Sequence, residues 1–203
     1  MSTKTLQKFF DDFLPSFKKT SIWSSMKSTV ENSPWHREAS VATHTEMVLK
    51  WYRQNVADQR TSQMHAITLF ALLFHDVGKP TAEEQKTRED GTVYRSYGGH
   101  EHDSAVAWID YATSNKSVLQ DFNLSPSDVS NIAFIIEYHL PYSLKKADKV
   151  KALQDSLSQR FGQLKMMFID ALRSDQNGRI SDNHEKNQQE MEAWIADFTK
   201  EWK

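Results

Sequence analysis

MHAITLFALLFHDVGKP, residues 64–80, carries the strongest architectural signal in the chain. From Met64 to Phe74 it is apolar nearly all round, as a helix is when neighbours cover it on most sides. The apolar run then stops at His75 and Asp76. After them Val77-Gly78 permits close backbone approach, and Pro80 ends the helix. Two polar residues closing so apolar a helix need partners, because unpaired burial is costly.

Working outward, helical spacing dominates and no convincing alternating strand pattern appears. TLQKFFDDFL (5–14) predicts a short amphipathic opening helix. A helix over about 41–55 carries the stripe Val41, His44, Val48, Trp51 and Tyr52 at i, i+3, i+4 spacing. Residues 82–99 read as a polar, glycine-containing loop, and a helix follows over about 102–114. SPSDVSNIAFIIEYH (125–139) offers Ser125 and Ser127 as caps and Pro126 as a starter, runs to His139, and is ended by Pro141. A helix over about 149–174 is broken near Gly162, SDQNGRISDNH (174–184) is a turn, and the last helix spans about 184–201. No internal repeat or low-complexity segment interrupts the pattern. The expectation is one all-α domain over 1–203, a helical bundle with a polar site at its centre.

Composition narrows the chemistry. The chain has 203 residues, 38% hydrophobic and 26% charged, enough for one proper core. No run of ~18 apolar residues occurs, so no membrane span is expected. MSTKTLQKFFDDFLPSF (1–17) carries acids and lacks a small-residue cleavage site, so it does not read as a signal peptide. With no cysteine, any metal must be held by His, Asp and Glu, and a cytoplasmic location fits. A net charge of −2 argues against a broad nucleic-acid-binding face, and LKKADKVK (144–151) reads as a solvated surface.

A second His-Asp pair, His102-Asp103, lies in HEHDSA (100–105). Chance supplies about half such a pair in a chain of this composition, so context must choose. Asp103 stands where a helix start favours negative charge. The pair at 75–76, at the end of the buried helix, is the better site. Other polar residues fall on apolar stripes: His44 on its own helix, His139 continuing Val129, Ile132 and Ile136, and Asp175 continuing Phe161, Leu164, Phe168 and Leu172. Asp170 falls on the opposite face. A lone histidine on an apolar face is usually a hydrogen-bonded core residue. Three such stripes plus a buried His-Asp make a shared metal the simplest partner.

The order His44 … His75-Asp76 … Asp175 resembles the metal-binding signature of the HD-domain phosphohydrolase superfamily, and His100 and His139 match its dinuclear members. Within it the chain looks most like the HD domain of bacterial CCA-adding tRNA nucleotidyltransferases. The likeness is carried by WHREASVATHTEMVL (35–49), LFHDVGKPT (73–81), GGHEHDSA (98–105), EYHLP (137–141) and LRSDQNGR (172–179), a core of about 35–180 between flanking helices. It aligns His100, not His102, with the family ligand. The chain departs from that parent in having no glycine-serine motif with paired aspartates, so tRNA end-building is not implied. Leu140 stands where some dinuclear families place a second histidine.

The resemblance implies one metal on His44, His75, Asp76 and Asp175, and a second on His100 and His139 with Asp76 bridging. Such nitrogen-rich sites suit Mn, Fe, Co, Ni or Zn better than Mg. A bound metal lowers the pKa of water towards ~7 and polarises phosphoryl oxygens. Asp76 and Lys79 are the expected catalytic residues, with Lys79 beside the phosphate. His36, from the family's W-H-x-E segment, and His102 are substrate-side candidates. Arg173 and Arg179 flank Asp175 as candidate phosphate partners, with surface ion pairing the favoured reading; His65 and His184 read as structural or exposed, and Trp51 and Trp108 as core. The expected activity is hydrolysis of a nucleotide or nucleotide-like phosphate ester, 2′,3′-cyclic phosphates among them. Two other classes stay open: a mixed-valent di-iron oxygenase on the same ligands, and a nucleotide-sensing module without turnover.

Overall fold

The computed structural model describes residues 2–33, 36–87, 89–141, 147–160 and 162–200. Trp35, Phe161 and residues 144–146 of the basic run lie outside the described residues. The fold is mostly all-α, as the periodicity predicts.

The central helix α5 (Ser62–Phe74) is capped by Thr61, whose Oγ1 accepts the Met64 N–H, and every residue from Met64 to Phe74 is buried. It is a hub. α1 (Ser2–Gln7), α4 (Val41–Asn55), α6 (His100–Ser114), α8 (Pro126–Glu137) and α10 (Gly162–Asn177) all contact it. On one side its Phe70 ring meets Phe9, Phe13, Trp108 and Phe122 at centroid distances of 5.6, 5.0, 5.3 and 5.1 Å. Trp108 is fully buried, as expected, and Trp51 packs half-buried at the edge.

The opening segment is not one α-helix. A π-helical turn, Lys8–Phe13, separates α1 from α2 (Leu14–Phe17). Pro15 cannot donate back into the ladder, and the wider turn before it keeps Phe9, Phe13 and Phe17 stacked along one face. α3 (Ser21–Ser28), capped by Thr20, and α7 (Lys116–Asp121) were not anticipated. The stretch read as 149–174 is two helices, α9 (Ala147–Gln159) and α10, parted near Gly162 as expected. α8 is capped by Ser125, not Ser127, in a reciprocal box with Asp128. α11 (His184–Phe198) closes the chain.

Two short antiparallel ribbons correct the expectation of no strands. β1 (Val30–Ser33) pairs with β2 (His36–Ser40), and β3 (Glu84–Thr87) with β4 (Val93–Ser96). The second ribbon occupies the predicted loop. β3 is exposed throughout, so it has no buried face to write an alternating pattern into its sequence. No helix among the described residues is long and apolar enough to cross a membrane.

Candidate metal centre

Five elements deliver six donors to one point. α4 contributes His44, the end of α5 His75 and Asp76, the first turn of α6 His100, the turn after α8 His139, and α10 Asp175. All six are buried. The site's hinge is Gly78. Its N–H donates to Ser104 Oγ at 2.9 Å, and a Cβ there would lie 2.5 Å from the His100 carbonyl oxygen. Only glycine lets the loop after α5 press this close to α6.

Three imidazoles are oriented in the same way. His75, His100 and His139 donate Nδ1–H to the carbonyls of Leu72, Tyr97 and Ile136, each three residues upstream and each at 2.7 Å. A carbonyl only accepts, so the proton sits on Nδ1 and the Nε2 lone pair is free to ligate. Those Nε2 atoms converge. His44 Nε2 lies 3.0 Å from Asp175 Oδ1 and 3.3 Å from His75 Nε2. Asp76 is shared: Oδ2 faces His75 Nε2 at 3.2 Å, while Oδ1 faces His100 Nε2 at 3.0 Å and His139 Nε2 at 3.7 Å. Donors bonded at about 2.1 Å to one cation lie roughly 3.0–3.5 Å apart, so these separations fit the edges of a coordination shell. Two donor groups result, His44–His75–Asp175 and Asp76–His100–His139, and either can hold a metal ion.

Charge agrees with geometry. Four buried carboxylates (Glu31, Glu38, Asp76, Asp175) face two buried cations (Lys79, Arg179) in this region. In the metal-free chain the proton on His44 offsets part of that deficit, and a divalent cation that displaces it would balance the whole. Burial pushes Asp76 up, but its polar neighbours, the Lys79 ammonium among them, hold it well below the carboxylate range. Burial likewise raises Asp175, and Arg179 with His44 more than reverses it. Burial lowers His44, yet Asp175 and Glu38 carry it up to about 9. Burial, with His75 and His100 nearby, lowers His139 to about 3.

A pH dependence follows. Below pH ~9 the metal-free His44 carries a proton that an incoming cation must displace. Affinity at its group is expected to fall about tenfold for each unit of pH between 8 and 6. Calorimetric titration at three pH values, in buffers of different ionisation enthalpy, measures both the slope and the proton release.

The remaining candidates separate cleanly. Lys79 Nζ is held between Glu31 Oε1 at 2.7 Å and Asp76 Oδ2 at 2.8 Å, so its charge steadies the shared carboxylate, and the residue also lines the cleft. Arg179, expected at the surface, is buried against Asp175, because Gly178 presses the end of α10 onto the Val48 backbone. Arg173 does pair at the surface, with Glu192. His36 lines the cleft, half-buried. His102 does not: α6 begins at His100, two residues turn the helix by roughly 200°, and His102 points outward to Glu137 at 3.2 Å. His65 is a core residue bonded to Tyr52, and His184 opens α11 away from the donors. Asp170 faces away, clamped by Arg60.

Over the donors opens a cleft of about 390 Å³, lined in part by Tyr94 and Arg95 of the β3–β4 ribbon and by Tyr97 just after it. The ribbon is pinned by the Tyr97 hydroxyl, which donates to the Val30 carbonyl at 2.5 Å. Glu31 is the site residue with no reading from sequence, standing in a short strand without periodicity; Glu38 enters the sequence reading only as the acid of the family's W-H-x-E segment. No protein-family model, curated protein or solved structure matches this chain.

Proposed function

We propose that this chain is a metal-dependent phosphohydrolase of the HD kind, acting on a nucleotide or nucleotide-like phosphate ester. The observation that carries the reading is the division of Asp76 between two histidine groups at the floor of an open cleft. His44, His75 and Asp175 would hold one ion and His100 and His139 a second, each sharing Asp76. A histidine-rich set of this kind favours Mn, Fe, Co, Ni or Zn over Mg. When bound, such ions supply Lewis acidity and a water acidic enough to attack at neutral pH.

The chain's own groups do the rest. Lys79 and Arg179 keep Asp76 and Asp175 ionised and fixed in rotamer. The three Nδ1 anchors hold the imidazoles ready, so no reorganisation is needed at the moment of reaction. The cleft lies within the range of small-molecule sites, roughly 300–1,000 Å³. Its tyrosines and Arg95 face the organic part of a small substrate. Ser33 and His36 line the cleft too.

Purified protein with Mn²⁺ or Ni²⁺ is expected to release product from a generic phosphodiester or phosphomonoester and from members of a nucleotide panel that includes 2′,3′-cyclic phosphates. Iron in the purified protein, with oxygen uptake and no phosphate release, would replace this reading by the di-iron oxygenase. Ligand-induced thermal stabilisation without turnover would replace it by a sensing module.

A further inference from the structure

Glu38 is a buried carboxylate that the proposed chemistry does not use, and the backbone is strained to put it where it is. The β1–β2 ribbon pairs Val30 with Ser40 and Glu31 with Ala39, then slips register before Ser33 meets His36. At the slip Ala39 takes φ 74°, a left-handed conformation that a residue with a Cβ avoids. Strain of this sort persists where surrounding structure enforces it, and it often marks a functional position. Its effect is to turn the Glu38 side chain fully inward, with 0% exposure.

There the two carboxylate oxygens divide. Oε1 accepts the Ile180 N–H at 2.6 Å and lies 3.4 Å from His44 Nδ1. Oε2 lies 3.4 Å from Nδ1 of His36, the cleft residue. His36 and His44 meet edge to face at 4.8 Å between ring centroids. His75, His100 and His139 each give Nδ1–H to a carbonyl within their own turn. His44 Nδ1, in mid-helix, hydrogen-bonds to no such carbonyl among the described residues and faces a side-chain carboxylate instead. Carboxylate–histidine–metal chains orient the ring and raise its basicity as a ligand.

The geometry points to Glu38 as a positioning residue: one oxygen fixes the outer nitrogen of the metal-facing His44, and the other ties His36 of the cleft to the same group. This rests on the metal centre proposed above, and its test reads metal affinity as well as activity. Glu38→Gln keeps the shape and loses one acceptor. Titration with Co²⁺ or Ni²⁺ should show one equivalent bound 10- to 100-fold more weakly than in the unaltered chain. The other equivalent should stay within about threefold, and the visible spectrum of the cobalt form should shift. Glu38→Asp, which keeps the charge but shortens the reach, should fall between the two and serves if the glutamine variant does not fold. Affinities and cobalt spectrum unchanged in both variants would overturn the assignment. So would a separate ion lost on His36→Gln, because the group His36–Glu38–His44 would then be a site in itself. An unaltered chain that binds metal but cleaves no ester would sink the hydrolase alone. One that binds no metal would sink both.

Discussion

Asp76→Ala is expected to lower ester hydrolysis by roughly 10³-fold or more, since residues acting as one unit lose most of their effect together. The carboxylate contacts all four imidazoles, at 3.0–3.7 Å, and among the described residues no other touches both donor groups so evenly. Removing it leaves His100 and His139 as a pair, too few protein ligands for a tightly held ion. The fold should survive, because Lys79 keeps Glu31 as its counter-ion. Steady-state rates with Mn²⁺, together with metal content per chain, measure the effect. Full activity in a folded variant would reject the proposed function.

Gly78→Ala is expected to cost about 3 kcal/mol, and to weaken metal binding at the same time. The added Cβ would meet the His100 carbonyl oxygen at 2.5 Å, and Asp103 Cβ and Ser104 N at 2.7 Å. Two of these are backbone atoms and cannot rotate away. The loop after α5 and the start of α6 must therefore separate, which pulls Asp76 from His100. The melting temperature should drop by about 6–12 °C in a chain of this size. Gly98→Ala is the contrast. Nothing lies within 4 Å of its added Cβ, and stability should hardly change.

What could be read from residues alone follows from how each element is buried. α4, α5 and α10 each bury a continuous face, so their hydrophobic spacing locates them, and it places His44 and Asp175 on stripes that point inward. His75 and Asp76 announce themselves by ending the most apolar helix. His139 continues the stripe of Val129, Ile132 and Ile136, whereas His100 needed the family likeness, because it stands where a turn meets a helix and periodicity lapses. The ribbons left no trace, β3 for want of any buried residue and β1–β2 because a register slip breaks its alternation. Glu31 was hidden for the same reason, and Glu38 was reachable only as the acid of the family's W-H-x-E segment. Arg179 was misplaced because charge alone suggests surface; burial depended on Gly178 meeting α4, a contact between residues 130 positions apart in sequence (178 − 48).

Two of the carbonyls that orient the imidazoles, those of Leu72 and Ile136, belong to the final turns of α5 and α8. Helix ends leave such acceptors unclaimed in any case. The ligands are thus indexed to where each helix stops. One inserted or deleted residue in either final turn would swing the acceptor by roughly 100° around the axis. An inserted residue should instead be tolerated at the Asp90–Gly91 tip of the outer ribbon, which lies between β3 and β4 and carries none of the ligand-orienting carbonyls.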